Sequence, residues 1–230
     1  MTDHPVVAHE DWLEARKALV VEEKEFTRRR DELSRRRREL PWEPVTKEYV
    51  FEGEHGPQTL AELFAGRGQL IVYHFMFEPE WDEGCPHCSF WADSFDLNVV
   101  HLAARDITMI AASKAPLEKL LSYRRRMGWS FHWVSSFAND FNHDLGVGFT
   151  PEEQDARVYN YGGNVPGMAE REGASVFAKG GDGQLFHTYS TYGRGIDLLN
   201  AAYNYIDLTP KGRDEEGRSP QFWVRRHDEY

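Results

Sequence analysis

The chain has 230 residues, a formal net charge of −11 and only two cysteines. Nucleic-acid-binding proteins neutralise phosphates with clustered lysine and arginine, so the acidic balance argues against that class. Two cysteines are too few for a secreted disulfide scaffold, and no apolar run reaches the roughly 18 residues of a membrane span. The segment 1–7 has no basic stretch followed by an apolar run. We therefore expect a cytoplasmic protein with no membrane partner.

A long helix is predicted at the start of the chain. From Glu10 to Leu40 there is no Gly or Pro, helix formers dominate, and Pro41 ends the run. One apolar residue recurs in each heptad and its partner positions are mostly charged, which gives half of a coiled-coil seam. We interpret residues 1–42 as a helical arm that clasps its own domain or a second copy in a homodimer; an isolated, solvated helix is the alternative. The seam residues are Trp12, Leu19, Phe26, Leu33 and Leu40.

Residues 43–210 alternate predicted strands and helices, and we interpret them as one domain followed by a C-terminal tail, 211–230. Its predicted order is a strand at 49–51, an amphipathic segment at 60–64, a buried strand at 70–77, a helix from 86, a strand at 107–112, a helix after 113, a strand at 129–133, a polar excursion at 137–174, a hairpin at 175–189 and a last helix ending at 210. Parallel strands joined by helices, followed by an antiparallel hairpin, predict an α/β fold. Its central mixed sheet has helices on both faces.

Both cysteines lie in one motif, Cys85-Pro86-His87-Cys88, between the predicted strand and helix. A bridge across two residues constrains the unfolded chain little, so a redox-active dithiol explains the motif better than a structural disulfide does. If Pro86 is the first helical residue, Cys85 caps the helix and Cys88 lies on the same face. We expect Cys85 to attack, Cys88 to resolve, and Pro86 and His87 to tune the redox potential. A protonated His87 would lower the thiol pKa further.

The order of these elements around Cys-Pro-His-Cys resembles the thioredoxin fold, and the segment 49–64 resembles its peroxiredoxin-like branch. Three longer motifs, at 85–93, 186–195 and 226–230, resemble a bacterial thioredoxin-like family described only as a domain of unknown function. The resemblance covers nearly the whole chain and includes the arm. It implies a thioredoxin-like thiol–disulfide oxidoreductase with no cofactor beyond its own redox-active disulfide. Its partner would be a protein or small-molecule thiol or disulfide.

Two features depart from the thioredoxin pattern. Thioredoxin-like oxidoreductases carry a cis-proline just before the late hairpin, whereas no proline lies between Pro166 and Pro210 here, so the usual docking of a peptide substrate is in doubt. The loop before the pair, 78–83, is acidic, and its carboxylates oppose a thiolate. We expect the helix dipole to outweigh them and lower the Cys85 pKa, because exposed carboxylates are screened by solvent.

Other functions remain open. Peroxiredoxins place a proline and a Thr or Ser at fixed positions before their cysteine, where this chain has Glu78 and Asp82, so peroxide reduction is less favoured. The main alternative to an enzyme is a non-catalytic or metal-binding module for sensing or interaction. Two thiols supply half of a tetrahedral site. Two histidines, His74 and His132, are candidates to complete it with Cys85 and Cys88.

Three further side chains are candidates for substrate binding. Trp81 and Trp91 flank the cysteines, and Arg194 stands in a Gly-Arg-Gly turn where it could hold a carboxylate or phosphate. The alternative is that the tryptophans pack in the core and that Arg194 is an ordinary surface residue.

Overall fold

The computed structural model describes residues 4–156, 158–164 and 167–230. Residues 1–3 of the N-terminal segment and Pro166, both used in the sequence predictions, lie outside the described residues. Contacts divide the chain into two compact units, Met1–Pro41 and Trp42–Tyr230. No helix in the described ranges is long and apolar enough to cross a membrane.

The first unit contains α1 (His9–Arg38), which confirms the predicted long helix. Acidic residues stand in its first turn and four arginines in its last, an arrangement that complements the helix dipole. Ion pairs along the helix include Arg16–Glu23 at 2.8 Å and Arg36–Glu32 at 2.9 Å. These pairs are exposed, so solvent screens them and each contributes little to stability.

The second unit carries the sheet. Its strands are β1 (Glu43–Pro44), β2 (Val50–Gly53), β3 (Gly56–Thr59), β4 (Gln69–His74), β5 (Ile107–Ser113), β6 (His132–Ser135), β7 (Val158–Tyr159), β8 (Gly163–Asn164), β9 (Gly173–Lys179) and β10 (Leu185–Tyr192). Its helices are α2 (Leu60–Leu63), α3 (Pro86–Asp96), α4 (Val99–Ala103), α5 (Leu117–Met127), α6 (Phe141–Asp144) and α7 (Ala201–Ile206). Short 3-10 helices occupy Gly193–Leu199 and His227–Glu229.

The strand order is β1-β10-β9-β4-β5-β6-β2-β3, with β7 and β8 paired separately. Strands β4, β5 and β6 are parallel, and the antiparallel hairpin β9–β10 adds to the other edge of β4. Helices α3 and α4 form the crossover from β4 to β5. This strand–helix–strand unit, with its late hairpin and following helix, is a thioredoxin-like fold and confirms the predicted α/β class.

Both faces of β4 are covered, which explains its uninterrupted apolar sequence. Leu70 and Val72 belong to a cluster with Phe64, Ile110 and Phe177 on one face. On the other face, Tyr73 belongs to a cluster that includes both cysteines and the rings of α3, α5 and β6. The alternation of a pleated strand therefore separates neighbouring residues between two cores.

Several elements differ from the sequence expectation. The strand predicted at 129–133 is β6, at His132–Ser135. Strand β4 ends at His74 rather than at residue 77. Phe75 N–H still donates to the Ala112 carbonyl of β5 at 3.0 Å. The following N–H groups leave the sheet, because Met76 N–H donates to Cys88 Sγ and Phe77 N–H donates to a Glu170 carboxylate oxygen. The predicted last helix is two segments separated by Asn200. The Asn200 side chain accepts hydrogen bonds from the first N–H groups of α7, so it begins a new helix there.

Candidate functional site

The cysteine pair lies at the end of the connection from β4 to α3, where the helix begins. Cys85 is the N-cap of α3 and Pro86 its first residue. Two hydrogen bonds of Met76 hold the start of α3 against the end of β4. The Met76 carbonyl accepts from Cys85 N–H at 3.1 Å, and the Met76 N–H donates to Cys88 Sγ at 3.4 Å. Both thiols are free and buried, with 9% of Cys85 and 2% of Cys88 exposed. The sequence prediction of a dithiol at a helix start thus corresponds to the local geometry.

The two thiols have opposite acidities. The Cys88 thiol, and then the backbone N–H groups of Cys88 and His87, face the Cys85 sulfur and lower its pKa against the effect of burial. These groups do not reach the geometry of a capping hydrogen bond, so they act as oriented dipoles at the helix start. Burial raises the pKa of Cys88 well above its ordinary range, and the neighbouring Cys85 raises it further. Cys85 is therefore the more acidic thiol, and Cys88 stays protonated.

The surroundings of the pair differ from the expectation in two ways. Burial lowers the pKa of His87, so the imidazole is neutral near pH 7 and supplies no positive charge to the thiols. The carboxylate that acts on both cysteines is Glu172, whose own pKa is raised by burial. The acidic loop 78–83 is not among the largest influences on the Cys85 pKa. Lys119 Nζ holds that loop through the carbonyls of Pro79 and Trp81, at 2.7 and 2.9 Å.

Helix α3 is fixed at both ends. In its second turn Trp91 Nε1–H donates to the Ile196 carbonyl at 2.8 Å. At its C-terminus the Asp96 carboxylate accepts from the backbone N–H groups of Ser130 and Phe131 at 2.8 and 3.0 Å. A helix tied to two distant segments holds its N-terminal cysteine in one place.

Gly84 permits the close approach of the chain before Cys85. A Cβ atom at this position would lie 2.8 Å from a ring carbon of Phe75 and 2.8 Å from one of Tyr123. Such distances are shorter than carbon–carbon contacts in a packed core. The residue before the first cysteine therefore has to be glycine for this packing.

The C-terminal segment, residues 220–230, packs beside the pair through Arg226. This guanidinium donates to the Gly84 carbonyl and to the Tyr123 hydroxyl, both at 2.9 Å, and pairs with Glu83 at 2.9 Å. The Tyr123 hydroxyl is 2.9 Å from Ser89 Oγ, which in turn donates to the Cys85 carbonyl at 2.9 Å. A hydrogen-bonded chain thus joins the end of the protein to the first cysteine. Arg226 belongs to the sequence motif at 226–230, but nothing in the local pattern relates that motif to the cysteines.

A cavity of about 730 Å³ opens in front of Cys85. The three predicted substrate-binding residues, Trp81, Trp91 and Arg194, all line it. The sequence did not identify three further lining residues, Tyr73, Arg171 and Glu172. Arg171 and Glu172 directly precede β9, the place where thioredoxins carry their cis-proline, and no described peptide bond is cis.

The candidate metal ligands are not brought together. His74 points to the other face of β4, where its Nε2 lies 2.8 Å from Ser175 Oγ, and burial lowers its pKa to about 3. His132 is on β6, separated from β4 by β5, and its Nε2 contacts Gln58 Oε1 at 2.8 Å. Within the described ranges, no three His, Cys, Asp or Glu residues converge as a metal site.

A second buried carboxyl lies outside the cavity. Glu170 accepts hydrogen bonds from Asn142 Nδ2 at 2.9 Å and from Phe77 N–H at 3.2 Å. Burial, followed by the charge of Glu78, raises its pKa to about 8. The group therefore binds a proton in the folded state across the neutral range, and it ties the 137–174 excursion to the loop that leads to the cysteines.

The chain matches one family model and is similar in structure to several solved proteins. The family model described as a bacterial protein of unknown function, DUF899, matches residues 1–230, which confirms the resemblance carried by the three motifs. No curated relative matches the chain. Among solved structures, the chain is similar to peroxidoxin BcpB from Mycobacterium tuberculosis, with 14% identity, a TM-score of 0.45 and coverage of 73% of this chain and 97% of that one. It is also similar to a putative thiol:disulfide interchange protein DsbE from Chlorobium tepidum, with 11% identity, a TM-score of 0.45 and coverage of 73% and 96%.

Proposed function

The chain belongs to the DUF899 family of bacterial proteins of unknown function, and we propose that it is a thiol–disulfide oxidoreductase that works through Cys85 and Cys88. One observation carries the proposal: two free thiols share a helix N-terminus, with the pKa of Cys85 lowered and that of Cys88 raised. Only a thiolate attacks a disulfide, so this asymmetry assigns the attacking and resolving roles.

The reaction proceeds through two exchanges. The Cys85 thiolate attacks one sulfur of a substrate disulfide, a mixed disulfide forms, and the other half of the substrate leaves as a thiolate that takes up a proton. Cys88 then loses its proton and attacks Cys85 Sγ, which releases the second half of the substrate. The dithiol gives up two electrons and two protons, and the substrate disulfide becomes two thiols. The reverse sequence oxidises a dithiol substrate.

Pro86 and His87 are the residues between the thiols, and we assign to them the tuning of the reduction potential. Pro86 begins α3 and fixes the backbone that presents the helix N–H groups to Cys85. His87 is neutral, and its ring lies beside the backbone of Gln221 although the residue is exposed. Its influence is therefore on the packing and solvation of the pair rather than on its charge.

The proposal is tested with the neutral probe 2-hydroxyethyl disulfide. Reduced wild-type protein should lose both thiols and form an internal disulfide, detected by mass and by thiol titration. Cys88→Ser should stop at a mixed disulfide with the probe on Cys85, and Cys85→Ser should react far more slowly. Equal reaction of Cys85→Ser and wild type, or no reaction of the wild type, would contradict the dithiol mechanism. Equilibration of the wild type in thiol–disulfide buffers then gives the reduction potential of the pair.

A further inference from the structure

The cavity in front of Cys85 restricts the size of what can react there. Little of either thiol reaches the surface, and Pro220, Gln221 and Arg226 of the C-terminal segment form one wall. A folded protein substrate would have to bring its own backbone into this space before its disulfide met Cys85. A volume of about 730 Å³ lies instead in the range of pockets for small ligands.

Arg171 lines this cavity, and no carboxylate pairs with its guanidinium within the described ranges. Its backbone N–H donates to the Val147 carbonyl at 2.8 Å, and its guanidinium lies 5.6 Å from the centre of the Tyr159 ring. The Nε hydrogen is buried without a hydrogen-bond partner, and the guanidinium forms no ion pair with another described residue. Arginine offers a planar fork of donors that matches a carboxylate. The unfilled donor therefore points to a carboxylate on the ligand.

A second unused donor lies on the same cavity wall. The Tyr73 hydroxyl is buried beside Cys88, with 1% of the residue exposed. The Cys88 thiol is a weak hydrogen-bond partner, and the hydroxyl makes no hydrogen bond to a nitrogen or oxygen atom within the described ranges. Buried hydroxyls without such a partner are rare because each loses its hydrogen bonds to water. A bound molecule with an acceptor atom near Cys88 would satisfy this group.

The acidic groups around the cavity do not neutralise the positive charge of Arg171. Asp197 pairs with Arg194 and Arg213 at 3.3 and 3.0 Å, and Glu83 pairs with two arginines, Arg126 and Arg226. Glu172 remains, and burial raises its pKa even though Arg171 acts to lower it. A carboxyl that binds its proton more tightly opposes an incoming anion less than an ordinary carboxylate does.

We propose that the cavity binds a small disulfide that carries carboxylate groups, with Arg171 holding a carboxylate and Tyr73 donating to an acceptor beside Cys88, while the disulfide meets Cys85. This inference rests on the proposed oxidoreductase function and names its substrate class. The exchange is the one described above: Cys85 bonds to one sulfur, the substrate S–S bond breaks, and Cys88 releases the second thiol.

The test compares three disulfides in single-turnover oxidation of the reduced protein: oxidised glutathione, which is anionic; cystamine, which is cationic; and insulin, a protein. Each rate is divided by the rate of dithiothreitol with the same disulfide, which removes differences in intrinsic reactivity. We expect the normalised rate for oxidised glutathione to exceed that for cystamine by about tenfold, or about 1.4 kcal/mol. Insulin should react more slowly than either.

Single substitutions test which residues cause the preference for the anionic disulfide. Arg171→Gln should slow oxidised glutathione by about tenfold and leave cystamine within about twofold, since a charge-assisted pair contributes on this scale. Tyr73→Phe should slow oxidised glutathione with little change in fold. Arg125→Gln removes an exposed arginine outside the cavity and is the matched control, with all rates unchanged.

The outcomes separate the two proposals. If all three disulfides oxidise the wild type at similar normalised rates, or if insulin is fastest, the substrate class is wrong while the dithiol chemistry stands. If the charge preference persists in Arg171→Gln, the assignment of that residue is wrong. If neither these disulfides nor the neutral probe oxidises Cys85, the oxidoreductase function itself fails. The wild-type comparison does not depend on the folding of any variant.

Discussion

The contact that closes the C-terminal segment over the cysteines offers the sharpest test of the site. Arg226→Ala removes the donors to the Gly84 carbonyl and the Tyr123 hydroxyl, both at 2.9 Å, and the ion pair with Glu83. The side chain is only 15% exposed, so water cannot replace these contacts without movement of the segment. We expect the segment to open in this variant while the sheet and α3 remain folded.

The size of the effect follows from the bonds that are lost. A hydrogen bond to a charged group contributes about 1.5–3 kcal/mol, and two such bonds are removed. Because such contributions are rarely fully additive, we expect a loss of about 3 kcal/mol in closing the segment. Since about 1.4 kcal/mol corresponds to a tenfold change, the open population should rise by about a hundredfold.

Two maleimides of the same chemistry and different size measure the opening. N-ethylmaleimide fits the cavity, whereas a polyethylene-glycol maleimide requires the segment to move. In a Cys88→Ser background, where only Cys85 reacts, Arg226→Ala should raise the rate of the large reagent by about a hundredfold and that of the small one much less. Arg225→Ala, an exposed neighbour, is the control and should change neither rate. Equal acceleration of both reagents, or of neither, would refute the idea that Arg226 closes the segment over Cys85.

Three further predictions concern stability and assembly. Because burial raises the pKa of Glu170 to about 8, its proton stabilises the folded state fully below about pH 4.5, and that stability is lost as the pH rises towards 8. Chemical denaturation across this range should show a steeper decline in wild type than in Glu170→Gln, which keeps the contribution of Glu172; equal declines in the two proteins would be contrary evidence. Gly84→Ala should lower the free energy of unfolding by about 1–3 kcal/mol in thermal denaturation, since its new Cβ would lie 2.8 Å from two rings. The control Gly181→Ala, whose Cβ meets no atom within 4 Å, should leave stability unchanged. Equal stability of the two variants would show that the loop adapts to the added Cβ. If α1 forms a homodimer, light scattering should give a dimer for the wild type and a monomer for Phe26→Lys, and a monomeric wild type would exclude this mode of assembly.

The sequence determined the features that depend on neighbouring residues. A run free of Gly and Pro predicted α1, and an apolar run predicted the buried strand β4, since helical and strand periodicity are local properties. The Cys-Pro-His-Cys motif predicted its own position at the start of a helix, because proline at the first helical residue reports on the backbone directly. Strand alternation also indicates that His74 and Tyr73 face opposite sides of β4, but only the tertiary structure shows that the cysteines lie on the Tyr73 side, away from His74.

Only the tertiary structure decided what surrounds the thiols. Arg226 and Gly84 are 142 positions apart in the chain, and Arg171 and Glu172 come from the turn into β9, so local pattern does not relate any of them to Cys85. The acidity of the pair also depends on this arrangement, because burial and oriented N–H groups act through space. The carboxyl that acts on both thiols is Glu172, which is half-buried at the cavity wall and which the sequence did not identify. The acidic loop was expected to be screened by solvent, and it is not among the largest influences on the Cys85 pKa.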